Sequence, residues 1–167
     1  MKTQINTQMN TDNNSIKTVD FTTNLFELLK ETFEGSQPGV GSHYLDREVG
    51  VLNTIDKITA ADASRAIGAG ATIASHLEHT RFYLEVLPEF MNGRTEKVDW
   101  DESWLVKTVD KSEWNLLKER VRRDYKIVSE LLQKIENWND ERVGGAMSIV
   151  AHTAYHLGAI RQITKSI

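Results

Sequence analysis

The chain has 167 residues, a formal net charge of -4, 40% hydrophobic and 26% charged residues, and no cysteine. That length suits one domain burying roughly two-thirds of its unfolded surface. The charge leaves no footprint for nucleic acid, the lack of cysteine excludes disulfides, thiolate ligands and an internal sulfur nucleophile, and no run of ~18 apolar residues offers a membrane span.

The first fifteen residues, MKTQINTQMNTDNNS, are rich in Asn, Thr and Gln. They lack the apolar stretch of a signal peptide, so the cytoplasm is the expected location. Residues 1–17 read as a flexible tail and 18–167 as the folded domain. From Val19, the apolar residues Phe21, Leu25, Leu28, Leu29 and Phe33 recur at helical steps up to Gly35. SQPGVGS at 36–42 then reads as a loop. Residues 45–66 hold one or two short helical turns, with Thr59 and Asp62 spaced as a capping box. Gly68 and Gly70 interrupt the chain at roughly 1 kcal/mol each against a continuous helix. A second long helix is expected from Ala71 to Met91, bent or frayed at Pro88. A connection through Trp100 and Trp104 leads to a third helix that opens at Asp110 and closes across 137–140. Gly144 and Gly145 precede a fourth, from Ala146 to Thr164. No strand-like alternation occurs. The expected fold is an all-α four-helix bundle with a long connection between helices 1 and 2.

Four of the five histidines form two helical pairs, His76/His79 and His152/His156. An i, i+4 pair stacks two imidazoles one turn apart, as two ligands of one metal ion require. With about 100° per residue and His156 at zero, Ile149 lies at about +20°, Ile160 at about +40°, Ile163 at about -20° and His152 at about -40°. Both histidines therefore border the apolar stripe of the fourth helix. On the second helix His76 falls within about 50° of the stripe centre and His79 more than about 100° from it, so His76 is the favoured ligand of that pair. Its place in the first turns, where the helix dipole disfavours imidazolium, keeps it neutral. Spacing alone leaves two readings open: a metal site, or histidines hydrogen-bonded at the edge of a core.

Neighbouring chemistries do not fit. Di-iron bundles need an inward Glu-x-x-His, and positions 73 and 149 are both Ile. The HExxH metalloprotease helix needs a Glu after its first histidine, where Thr153 stands. The LKERVRRDYK run interleaves acids with its bases and reads as a solvated face. Trp100, Trp104, Trp114 and Trp138 read as core and lid packing.

Three segments carry a resemblance: IASHLEHTRFYLEVL at 73–87, the Trp-x-x-x-Trp of Trp100 and Trp104 followed by VDKSEW, and IVAHTAYHLGAIRQI at 149–163. Through them the chain resembles the DinB-like superfamily of metal-binding four-helix bundles, over roughly residues 18–165. The resemblance implies a divalent metal, typically zinc or nickel with iron or manganese as alternatives, held by His76, His152 and His156. His79 is then an additional histidine: an outer partner, an alternative ligand or an exposed residue. For function it implies a metal-dependent enzyme, either a low-molecular-weight thiol S-transferase or a small-molecule hydrolase, working as a homodimer on a small-molecule substrate. A thiol cosubstrate suits a chain without cysteine, because a three-histidine metal can lower a bound thiol's pKa. Tyr44, Tyr83 and Tyr155 lie near the relevant elements, with packing their simpler role. The other reading is a non-catalytic bundle whose metal or apolar cavity serves binding, stress response or dimer stability.

Overall fold

A computed structural model describes residues 16–36, 39, 41–46 and 48–167. The predicted tail therefore lies almost wholly outside the described residues, as do parts of the 36–42 loop. Apart from one bridge residue at Ser36, the regular structure of the described residues is helical, and the protein is all-α. Its helices are α1 (Thr18–Glu34), α2 (Val51–Asp56), α3 (Ala60–Ala63), α4 (Ile73–Met91), a short 3-10 helix (Trp100–Trp104), α5 (Lys111–Gln133) and α6 (Asp140–Ser166). None is long and apolar enough to cross a membrane.

The four long helices share one apolar core, with Leu29 and Phe33 from α1, Leu77 and Leu84 from α4, Trp114 and Val121 from α5, and Ile149 and Leu157 from α6. The Trp114 indole N–H donates to the Ile58 carbonyl at 2.8 Å, which fixes α5 against the end of α2. Of the periodic residues named for the first helix, Leu25, Leu29 and Phe33 are buried in this core and Phe21 packs against it; Ile149 and Ile160 of the α6 stripe are buried there too.

Helix ends follow side-chain chemistry. Asp110 and Glu113 form the reciprocal capping box at the start of α5, both bonds at 2.8 Å. The Thr72 oxygen accepts the Ser75 N–H at 3.1 Å while its hydroxyl donates to the Lys107 carbonyl at 2.8 Å. Ser75 donates to the Val106 carbonyl at 2.7 Å. The first turn of α4 thus pins the segment just after the 3-10 helix, and holds that helix over one side of α4. Pro88 stays inside α4, three residues before its end, where its missing N–H forfeits one bond.

α6 departs most from the sequence expectation. It starts at Asp140, six residues early, capped by the Asn139 side chain, and runs straight through Gly144 and Gly145. Gly145 is there for closeness: a Cβ would stand 2.4 Å from Met91 Cγ, so its absence lets the end of α4 approach α6. α5 correspondingly stops at Gln133 instead of 137–140.

Glu31 secures the α1–α2 connection. Its buried carboxylate accepts the backbone N–H groups of His43, Tyr44 and Leu45 at 2.7, 2.9 and 2.7 Å, with the Ser42 hydroxyl at 2.9 Å. Burial opposes its ionisation, but these donors outweigh it and hold the pKa at about 2 against an ordinary 4.5. A depressed carboxylate pKa stabilises the fold above the unfolded value and loses that support as pH falls from 4.5 towards 2. Glu31→Gln should therefore cost about 1.5–3 kcal/mol at pH 7, the scale of hydrogen bonds to a charged group. Urea melts of both proteins between pH 7 and pH 2 should show that gap close at the acid end. A gap independent of pH would contradict the role given to the charge.

Candidate metal centre

α4 and α6 lie side by side, and the residues that meet across them are the paired histidines. The Nε2 atoms of His79 and His152 are 3.0 Å apart, and those of His152 and His156 3.2 Å. His79, His152 and His156 each offer a ring nitrogen within 4.8 Å of the other two, a set that could hold a metal ion. His76 joins at the edge, its Nδ1 2.9 Å from Nδ1 of His156. The 3-10 helix closes the far side. Ser103 Oγ lies 2.6 Å from His79 Nδ1, and the Trp104 ring stacks on the His79 ring at 4.1 Å and 20°. Tyr83 stacks in the same way on His152, at 3.7 Å and 13°.

The rings are held neutral. His79 is 9% exposed and His156 3%. Burial lowers the pKa of all four, with the neighbouring rings adding to it for three of them; His152 is brought down to about 4 and His156 to about 3. Neutral imidazole is the form that binds a metal. Three nitrogens at 2.0–2.1 Å from a tetrahedral zinc would be roughly 3.3–3.4 Å apart. The two close pairs need to open by only a few tenths of an ångström. His152 Nδ1 is buried without a partner, and none of the four rings pairs with a carboxylate among the described residues. The donor set suits Zn, Ni, Fe or Mn and does not choose among them.

The structure brings His76, His152 and His156 to one place, as the sequence suggests, but adds His79 and sets it among the three nitrogens that face one another. His79 is not exposed. A wheel drawn against the bundle core counts a single wall, whereas α4 has a second one in the 3-10 helix, read from sequence as a bare connection. Sequence reasoning passes over Ser103 altogether; its one available signal is its place beside Trp104 in the Trp-x-x-x-Trp segment. Tyr83 packs on the His152 ring, Tyr155 sets its edge against His156 while largely exposed, and Tyr44 bonds Thr32 away from the cluster. Trp114 is core, while Trp138 packs edge-on against Phe21. The basic run of α5 is solvated and paired, Arg122 with Asp56 and Lys126 with Glu130.

Compared with family models, curated proteins and solved structures, the chain matches none.

Proposed function

We propose that this protein binds a divalent metal ion through His79, His152 and His156 in a four-helix bundle of the DinB-like kind, and uses it on a small-molecule substrate. The observation that carries the reading is the meeting of three neutral ring nitrogens, from buried His79 and His156 and half-buried His152, that have only one another as partners among the described residues. Three neutral ligands leave the full charge of the ion to act on whatever fills its open positions. Such an ion lowers the pKa of a bound thiol or water. A low-molecular-weight thiol S-transferase is the favoured activity, since the chain has no cysteine of its own; a small-molecule hydrolase is the alternative. Zinc or nickel is the expected ion, the cytoplasm the expected location, and a homodimer the expected assembly.

One observation favours the second reading, a non-catalytic metal or ligand site. With no carboxylate on any of the four rings among the described residues, the cluster has no partnered proton acceptor beside it there.

Protein purified without an affinity tag should carry one ion per chain by elemental analysis. His79→Ala and His156→Ala should each weaken binding by more than the ~10–100-fold typical of an outer partner, with helicity retained. His76→Ala should stay within that range. Unchanged stoichiometry in His156→Ala would remove the assigned site. Turnover of an electrophile only with added thiol marks the transferase, turnover without thiol the hydrolase, and none at all, with a marked fall in Tm on chelation, the structural reading.

A further inference from the structure

We infer that Ser103 is a positioning residue that makes His79 the α4 donor of the cluster. The inference rests on the metal reading above for its purpose, but its geometry stands alone. Ser103 is fully buried, and its oxygen sits 2.6 Å from His79 Nδ1 and 2.6 Å from the Trp100 carbonyl. A hydroxyl has one hydrogen and a carbonyl can only accept. Were that hydrogen turned to the imidazole, the hydroxyl and carbonyl oxygens would meet lone pair to lone pair. The arrangement that satisfies both contacts runs from His79 Nδ1–H to Ser103 Oγ–H to the Trp100 carbonyl. A neutral His79 with its hydrogen on Nδ1 presents a bare Nε2, and that atom faces His152 at 3.0 Å.

His152 completes the sequence. In the metal-free protein, with His79 Nε2 bare, His152 Nε2–H is the donor across the 3.0 Å gap and the buried, unpartnered His152 Nδ1 an acceptor; binding an ion at His152 Nε2 would require that hydrogen to pass to Nδ1. An unused acceptor is better tolerated in a protein interior than an unused donor. His76 has no such partner among the described residues, and its Nδ1 is engaged with His156 Nδ1. The backbone that directs the choice is rigid: Trp100–Trp104 is a short helix, and its C-terminal side is tied to α4 by Thr72 and Ser75. Outer hydrogen-bond partners set the tautomer and orientation of metal-ligating histidines in the same way.

The test reads the tautomer and the ion separately. Long-range 1H–15N spectra of the metal-free wild type should show His79 protonated on Nδ1 and bare on Nε2. In Ser103→Ala that preference should give way to a mixture, and cobalt(II) titration should show affinity lower by about 10–100-fold. A wild-type His79 protonated on Nε2 would overturn the inference, as would a Ser103→Ala protein with unchanged tautomer and affinity. A wild type with the expected tautomer but no affinity for cobalt, zinc or nickel would refute the metal reading and leave the positioning role of Ser103 standing. The wild-type spectrum decides the matter even if Ser103→Ala fails to fold.

Discussion

Arg81→Ala should lose about 3–5 kcal/mol of stability, the usual result of breaking a buried ion pair from one side. For a chain of this length that is a fall in Tm on the order of 10 °C. Arg81 is 3% exposed on α4, two residues after His79. Its Nε donates to both Glu78 oxygens at 3.0 and 2.9 Å and Nη2 to Glu78 at 2.8 Å. Nη1 reaches Glu85 at 2.6 Å and Asp124 of α5 at 3.2 Å. Without the guanidinium, among the described residues Glu78 has no cation and Asp124 keeps only the outer Arg123. Both carboxylates are buried, at 8% and 6% exposure, so the cost lies in the charges left behind. Arg81→Lys should recover only part of it, because an ammonium cannot form the planar fork that spans Glu78 and still reach α5. Thermal melts followed by circular dichroism check this. A fall of under about 2 °C for the alanine variant would show that the cluster contributes little net stability.

Gly50→Ala should be as damaging, by about 3 kcal/mol or more, at the upper end of overpacking costs. The φ of Gly50, -95°, suits any residue, so conformational freedom is not the reason for glycine. A Cβ there would lie 2.3 Å from the Gly35 nitrogen, 2.5 Å from the Phe33 carbonyl oxygen and 2.6 Å from the Glu34 carbonyl carbon. All three are backbone atoms and none can swing aside, so the chain before α2 must lift off the end of α1. Gly144→Ala is the contrast. It is an exposed position of α6 with nothing within 4 Å, and it should gain about 0.5–1 kcal/mol from helix propensity. Urea melts of the two variants should move in opposite directions. Equal effects would undo the steric argument for Gly50.

These cases mark what sequence can and cannot reveal here. The long helices were legible because burying one face imposes a period on the apolar residues, and the i, i+4 spacing of His152 and His156 put both on the inner side of α6. Gly145 was misleading for a physical reason: glycine reads as a breaker, yet in α6 it permits a close approach to Met91, a contact between helices distant in sequence. The burial of Arg81 and Glu78 has no sequence signal, since nothing local indicates that Asp124 will arrive from α5. The wheel turned His79 away from the bundle core and left its role open, because the covering 3-10 helix has no periodicity from which to predict it. Pairwise, long-range and non-periodic features were the ones missed.

The rings that meet between α4 and α6 come from opposite ends of a long excursion: His79 and His152 are 73 positions apart, His76 and His156 80. Closing a loop of that length costs entropy that no local preference offsets, so the donors assemble only when the two helices dock. No fragment lacking either helix can carry the complete set, and a chain still unfolding or half made exposes two single histidine pairs with weak grip. Occupancy by the proposed ion would therefore report on tertiary completion, and a mutation anywhere that loosens the α4–α6 seam would lower that occupancy first.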